Sequence, residues 1–164
     1  MRWILLALPL VLAGCNEPSA EEVEEARRKA VEEVVANQKP PPEMIELQPF
    51  RYPEIERFDL FGAGCAFAPD GKGLGAVALA KADKGYLLED GELQILAADM
   101  GSGEKPFMSR AKYDGRKYSF TLDFDEEDGR QSGYETVDYR GTLTVRDGSD
   151  NAVYSADGII QCGS

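Results

Sequence analysis

Between Lys117 and Phe124 polar and apolar residues alternate without a break. Tyr118, Phe120, Leu122 and Phe124 fall on one face, and Lys117, Ser119, Thr121 and Asp123 on the other. That period of two predicts a half-buried strand. Tyr139, Leu143 and Val145 alternate likewise with Arg140, Thr142, Thr144 and Arg146. Val77 with Leu79 and Leu93 with Ile95 predict two shorter strands, and the stretch from Val153 to Cys162 one or two more. Six Asp-Gly dipeptides punctuate these runs, at Asp70, Asp90, Asp114, Asp128, Asp147 and Asp157. Asp-Gly supplies the positive φ angles of tight hairpins, so neighbouring antiparallel strands are predicted. About seven or eight strands in so short a stretch predict a mainly β fold, a small antiparallel barrel or sandwich.

Upstream the period changes. Ser19-Ala20-Glu21-Glu22 matches a capping box and predicts a helix from Ala20 to Ala36. Glutamates fill its first turns, favourable at the positive end of the helix dipole. Glu24–Arg28 and Glu25–Lys29 are i,i+4 pairs in the better orientation. Val23, Ala26, Ala30 and Val34 make a narrow stripe of small side chains, the mark of a solvated stalk helix. Asn37-Gln38-Lys39-Pro40-Pro41-Pro42 then stops the helix and predicts an extended, semi-rigid spacer. From Met44 to Phe61 the chain is apolar but irregular, and is expected to pack on the β domain. Pro53-Glu54 suits the start of a short helical turn there.

Charge changes the picture more than hydropathy does. The 164 residues carry a net charge of −12 and no histidine. The acidic balance disfavours nucleic-acid phosphates and anionic lipid headgroups and would steer cationic partners inward; the simpler reading is that the charge only keeps an envelope protein soluble. Without histidine there is no Ser-His-Asp or Cys-His catalytic arrangement and no His-containing zinc site. A carboxylate pair, a lysine base or an oxygen-ligated metal remain open, but a non-enzymatic domain without a cofactor is the expectation.

The chain opens with Arg2, an apolar run from Trp3, and Leu12-Ala13-Gly14-Cys15. The run is shorter than the roughly 20 apolar residues of a membrane-spanning helix. Its ending resembles the lipobox of bacterial lipoproteins. The resemblance implies that residues 1–14 are a signal peptide and that Cys15 is lipidated and becomes the first residue. Asn16 stands where aspartate would signal inner-membrane retention, so an outer-membrane anchor facing the periplasm is implied. Two cysteines then remain, Cys65 and Cys162, an even pair in an exported protein, where a structural disulfide is expected. A buried free pair or a redox couple are the alternatives. The organisation expected is a signal peptide at 1–14, a lipidated tether at 15–42 and a β domain at 43–164 closed by Cys65–Cys162. The tether divides into the helix at 20–36 and the spacer at 37–42.

Three stretches invite chemistry. Asp123, Asp125, Glu127 and Asp128 form the densest set of hard oxygen ligands, weak candidates for calcium beside the simpler reading of a solvated hairpin tip. Gly71-Lys72-Gly73-Leu74-Gly75 lacks the Gly-Lys-Ser/Thr end of a phosphate loop and reads as a turn. The third is an outline: Cys65, Tyr86-Leu87-Leu88-Glu89-Asp90-Gly91, Ser109-Arg110-Ala111-Lys112-Tyr113 and Cys162. It resembles the membrane-bound inhibitors of C-type lysozyme, small periplasmic lipoprotein β-barrels with a Ser-Gly-x-x-Tyr motif. The resemblance implies partner-binding roles for Ser109 and Tyr113. Arg110 replaces the family's glycine, and Asp123 stands where its second motif has a lysine.

Three functions follow for the domain. The first is a protein-binding or structural module of the cell envelope, held to the membrane by its lipid and suited to a basic partner such as lysozyme. The second is a lysozyme inhibitor acting through a loop at Ser109. The third is a carboxylate-dependent enzyme.

Overall fold

The computed structural model describes residues 19–37, 41–71, 73 and 75–164. Cys15, Asn16 and the rest of the lipobox, residues 38–40 of the expected spacer, and Lys72 and Leu74 lie outside them. The chain divides into two units, Met1–Pro41 and Pro42–Ser164.

In the first unit, helix α1 spans Ala20–Asn37. Its capping box is formed: the Ser19 amide donates to Glu22 Oε2 at 2.8 Å and the Glu22 amide donates to Ser19 Oγ at 3.3 Å. Those bonds satisfy donors that the first turn leaves free, and they hold the Glu22 carboxyl below its usual range. Glu25 and Lys29 pair at 3.0 Å, whereas Glu24 and Arg28 do not close. Val23 and Val34 are exposed. Among the described residues no helix is long and apolar enough to cross a membrane.

The second unit is a closed antiparallel β-barrel. Its strands are β1 (Gly64–Pro69), β2 (Ala78–Ala80), β3 (Lys84–Glu89), β4 (Glu92–Ala98), β5 (Lys112–Asp114), β6 (Tyr118–Phe124), β7 (Arg130–Gln131), β8 (Thr136–Asp147) and β9 (Ala152–Gly163). β1 to β6 follow in order; β6 pairs with β8, β8 with β9, and β9 returns to β1, closing eight strands. β7 stands outside the ring, paired only with the start of β8. Closure leaves the ring itself no open edge, and the sandwich alternative drops out.

An eight-stranded barrel is just wide enough for its own side chains to fill it. Phe67, Leu87, Leu96, Tyr113, Phe120, Leu143 and Ile160 do so, each fully buried. The faces read from β6 and β8 are the inward ones. Tyr113 stacks on Phe120 with ring centroids 4.8 Å apart. Gly85 makes room for the stack, since a Cβ there would lie 2.6 Å from the Phe120 ring.

A strap covers part of the outside. The Ile45, Gln48 and Phe50 amides donate to the carbonyls of Val153, Leu88 and Ala76, and helix α2 (Tyr52–Arg57) follows, with Pro53 in its first turn. Phe50 and Leu60 pack with Leu79 and Leu88 in a second apolar cluster. Leu93 and Ile95 lie in a strand as expected, and the strap decides what their face meets. On β4 the inward face carries Leu96; Leu93 lies against the outer cluster and Ile95 is exposed. A one-residue shift of phase exchanges the faces, and a strand covered on both sides carries apolar residues on both.

The Asp-Gly dipeptides also do different things. Asp90-Gly91 is the tight hairpin expected, with φ of 49° and 77° between the paired Glu89 and Glu92. Asp157-Gly158 is no turn: it lies within β9, Gly158 opposite Pro69 and Gly141. A side chain there would collide with the Ala68 carbonyl and the Phe67 ring, so this glycine serves close packing. At Asp147-Gly148 the carboxylate shapes the turn, accepting from the Ser149 and Asn151 amides at 2.8 and 2.9 Å. A register shift at Val145/Arg146 lets β9 bury both Val153 and Tyr154.

Candidate functional site

Glu89 is the last residue of β3, and the residue is only 7% exposed. Strand alternation puts it on the inward face after Gly85 and Leu87, at the barrel's end. A carboxylate there is tolerable only if bonded. Its Oε1 accepts from the Tyr118 hydroxyl at 2.5 Å and its Oε2 from Lys117 Nζ at 2.7 Å. Burial and the Glu89 bond raise the Tyr118 hydroxyl above its ordinary value, and the Glu89 bond raises the Lys117 ammonium. These shifts favour the neutral phenol of Tyr118 and the charged ammonium of Lys117.

These three side chains floor an open groove of about 680 Å³, whose walls include Glu43, Glu46, Asp90 and Asp147. The Asp147 carboxyl is held low by its bonds from Asn151. With one cation, already engaged, among five carboxylates, the groove offers acceptors to a cationic side chain. Sequence reading passed over Glu89 because Glu-Asp-Gly looked like a turn flank. The alternation Gly85, Leu87, Glu89 was the signal that could have found it.

The opposite end is built differently. Cys65 and Cys162 are direct cross-strand partners and form a disulfide. Ser109 lies beneath it, its hydroxyl donating to the Pro106 carbonyl at 2.8 Å, 3.2 Å from Cys65 Sγ. The Tyr113 hydroxyl donates to the Lys81 carbonyl and accepts from the Arg110 amide, both at 2.7 Å. Burial raises its hydroxyl above the ordinary value. Ser109 and Tyr113 are both 0% exposed, so neither side chain presents surface for the partner-binding role that the resemblance implies. A side chain without accessible surface touches no other protein; these two tie the 106–113 segment to the barrel. Phe107 and Met108 take left-handed backbone angles, φ 55° and 60°, to make the turn.

The acidic segment does not converge on a point. Asp125 accepts from the Glu127 amide at 2.9 Å, capping a short 3-10 turn over Glu126–Asp128. Glu126 pairs with Lys105 at 3.2 Å, and Asp123 points outward from β6. Among the described residues no three His, Cys, Asp or Glu side chains are placed to hold a metal ion. Compared with known proteins, the chain matches no family, no characterised sequence and no solved structure.

Proposed function

We propose that this chain is a bacterial cell-envelope lipoprotein that presents a non-enzymatic, acidic β-barrel to a basic protein partner. Anchoring rests on the resemblance of Leu12-Ala13-Gly14-Cys15 to a lipobox, and the outer membrane, periplasmic side, on Asn16. The observation that carries the binding half is the filled interior. A barrel packed by Phe67, Leu96, Phe120 and Ile160 has no lumen for a small ligand, so recognition falls to an exterior of strongly negative charge. Charge of one sign speeds encounter with the opposite sign and rejects the same sign. The buried Ser109 lends no support to inhibition through its loop.

Biolayer interferometry of the full chain in detergent against C-type lysozyme, a folded basic protein, tests the reading. Binding is expected at 50 mM salt and should weaken at least tenfold by 300 mM. No binding at 50 mM contradicts it.

A further inference from the structure

Tyr134 is 97% exposed, more than any other large apolar side chain among the described residues. Of the barrel's other tyrosines, Tyr113, Tyr118, Tyr139 and Tyr154 are buried and Tyr86 is half-buried against the outer apolar cluster. On the strap, Tyr52 packs edge-on against Phe61. Tyr134 sits at the tip of the short hairpin joining β7 to β8, outside the closed ring.

The tip is held in shape from within. Ser132 and Gly133 amides donate to the Thr136 carbonyl, at 3.0 and 3.3 Å. Gln131 Nε2 donates to the Gly133 and Tyr134 carbonyls at 2.7 and 3.2 Å, and the Ser132 hydroxyl donates to Asp138 at 2.7 Å. None of these bonds uses the Tyr134 ring. A pre-ordered tip loses little freedom on docking, and tyrosine brings much contact area at low entropic cost. Glu135 follows it in the tip, and Glu127 and Asp128 precede β7 in the same excursion from β6 to β8; all three are exposed, and Arg130 is the one cation in sequence between Asp125 and Asp138. The hairpin leaves β8 beside Gly163, at the disulfide end. The chain enters at the other end, where Ile45 bonds to Val153.

We propose that the β7–β8 hairpin is the docking arm of this domain. Tyr134 is its anchor, inserted into an apolar cleft on a folded cationic protein, and Glu127, Asp128 and Glu135 meet the positive rim of that cleft. The negative charge selects against an anionic lipid surface, which would otherwise suit an exposed aromatic. The proposal rests on the reading of a basic protein partner and names the surface that meets it.

The test uses full chain in detergent, interferometry at 50 mM salt, and two probes: C-type lysozyme, folded and cationic, and poly-lysine, cationic without a cleft. Tyr134→Ala should weaken lysozyme binding at least tenfold and leave poly-lysine binding unchanged. Tyr134→Phe should restore lysozyme binding to within about threefold, since the ring does the anchoring. Glu127→Lys with Asp128→Lys should weaken both probes. Unaltered melting temperatures exclude misfolding, which an exposed tip makes easy to satisfy. Lysozyme binding undiminished in Tyr134→Ala overturns the arm and leaves the basic-partner reading standing. Tyr134-dependent binding to phosphatidylglycerol vesicles in place of lysozyme also overturns it. No binding of the unaltered chain to lysozyme overturns both.

Discussion

The two ends of the barrel solve one problem with opposite chemistry. At each, a polar side chain is enclosed where the inward faces of the strands run out. At one end it is Glu89, bonded by Tyr118 and the half-exposed Lys117 beneath an open groove. At the other it is Ser109, neutral, bonded to a backbone carbonyl and covered by a disulfide. A buried carboxylate depends on its partners, because its desolvation is repaid only while they stay. A buried hydroxyl asks for far less. The groove end is therefore held by charge, while the disulfide end is held covalently.

Breaking the covalent end should do most damage. The bridge spans 97 residues, and a loop of about that length is worth up to about 4.7 kcal/mol in the chain-entropy picture. Cys65→Ala with Cys162→Ala should lower unfolding stability by about 2–5 kcal/mol in a denaturant titration; a loss under about 1 kcal/mol would mean that the strand ladder alone holds this end. Next comes Tyr118→Phe, which strips a hydrogen bond from a buried carboxylate and should cost about 1.5–3 kcal/mol. Ser109→Ala removes a neutral bond and should cost about 0.5–1.5 kcal/mol. If Ser109→Ala proves the more damaging of the two, the contrast between the ends is wrong.

The smallest effect is in pH. Tyr113, Tyr118, Tyr139 and Tyr154 are raised above the ordinary tyrosine value of 10.0, each mainly by burial. Above pH 10 the unfolded chain therefore gives up protons that the fold retains, and stability falls as pH rises. Their contribution is complete below pH 10 and is lost as pH climbs through the raised values. Melting temperature should be flat from pH 8 to 9.5 and fall by pH 11. A flat profile to pH 11 would contradict the burial of these hydroxyls.

What the sequence revealed follows the same divide. Local rules worked where one local interaction decides. The Ser19–Glu22 cap, the inward face of β6 and the hairpin at Asp90-Gly91 each need only a few adjacent residues. The Cys65–Cys162 pairing came from counting. The reading failed where a distant segment decides. Leu93 and Ile95 marked a strand, β4, but not which of its faces is inward, because the strap that covers Leu93 is assembled some forty residues upstream. Asp157-Gly158 looked like a turn because nothing local tells that Phe67 packs against its backbone. Ser109 and Tyr113 looked like an exposed recognition loop. Their burial depends on β5 being drawn between β4 and β6, with the loop tucked under the disulfide. Glu89 was hidden in the reverse sense, a charged residue on a face that alternation makes internal.

The central claim is that the acidic barrel is tethered to a membrane through Cys15, and metabolic labelling of cells with an alkyne fatty acid tests it most directly. The chain should carry the label and pellet with membranes, and Cys15→Ser should lose both. An unlabelled wild-type chain, or a Cys15→Ser chain that keeps the label, would contradict the account.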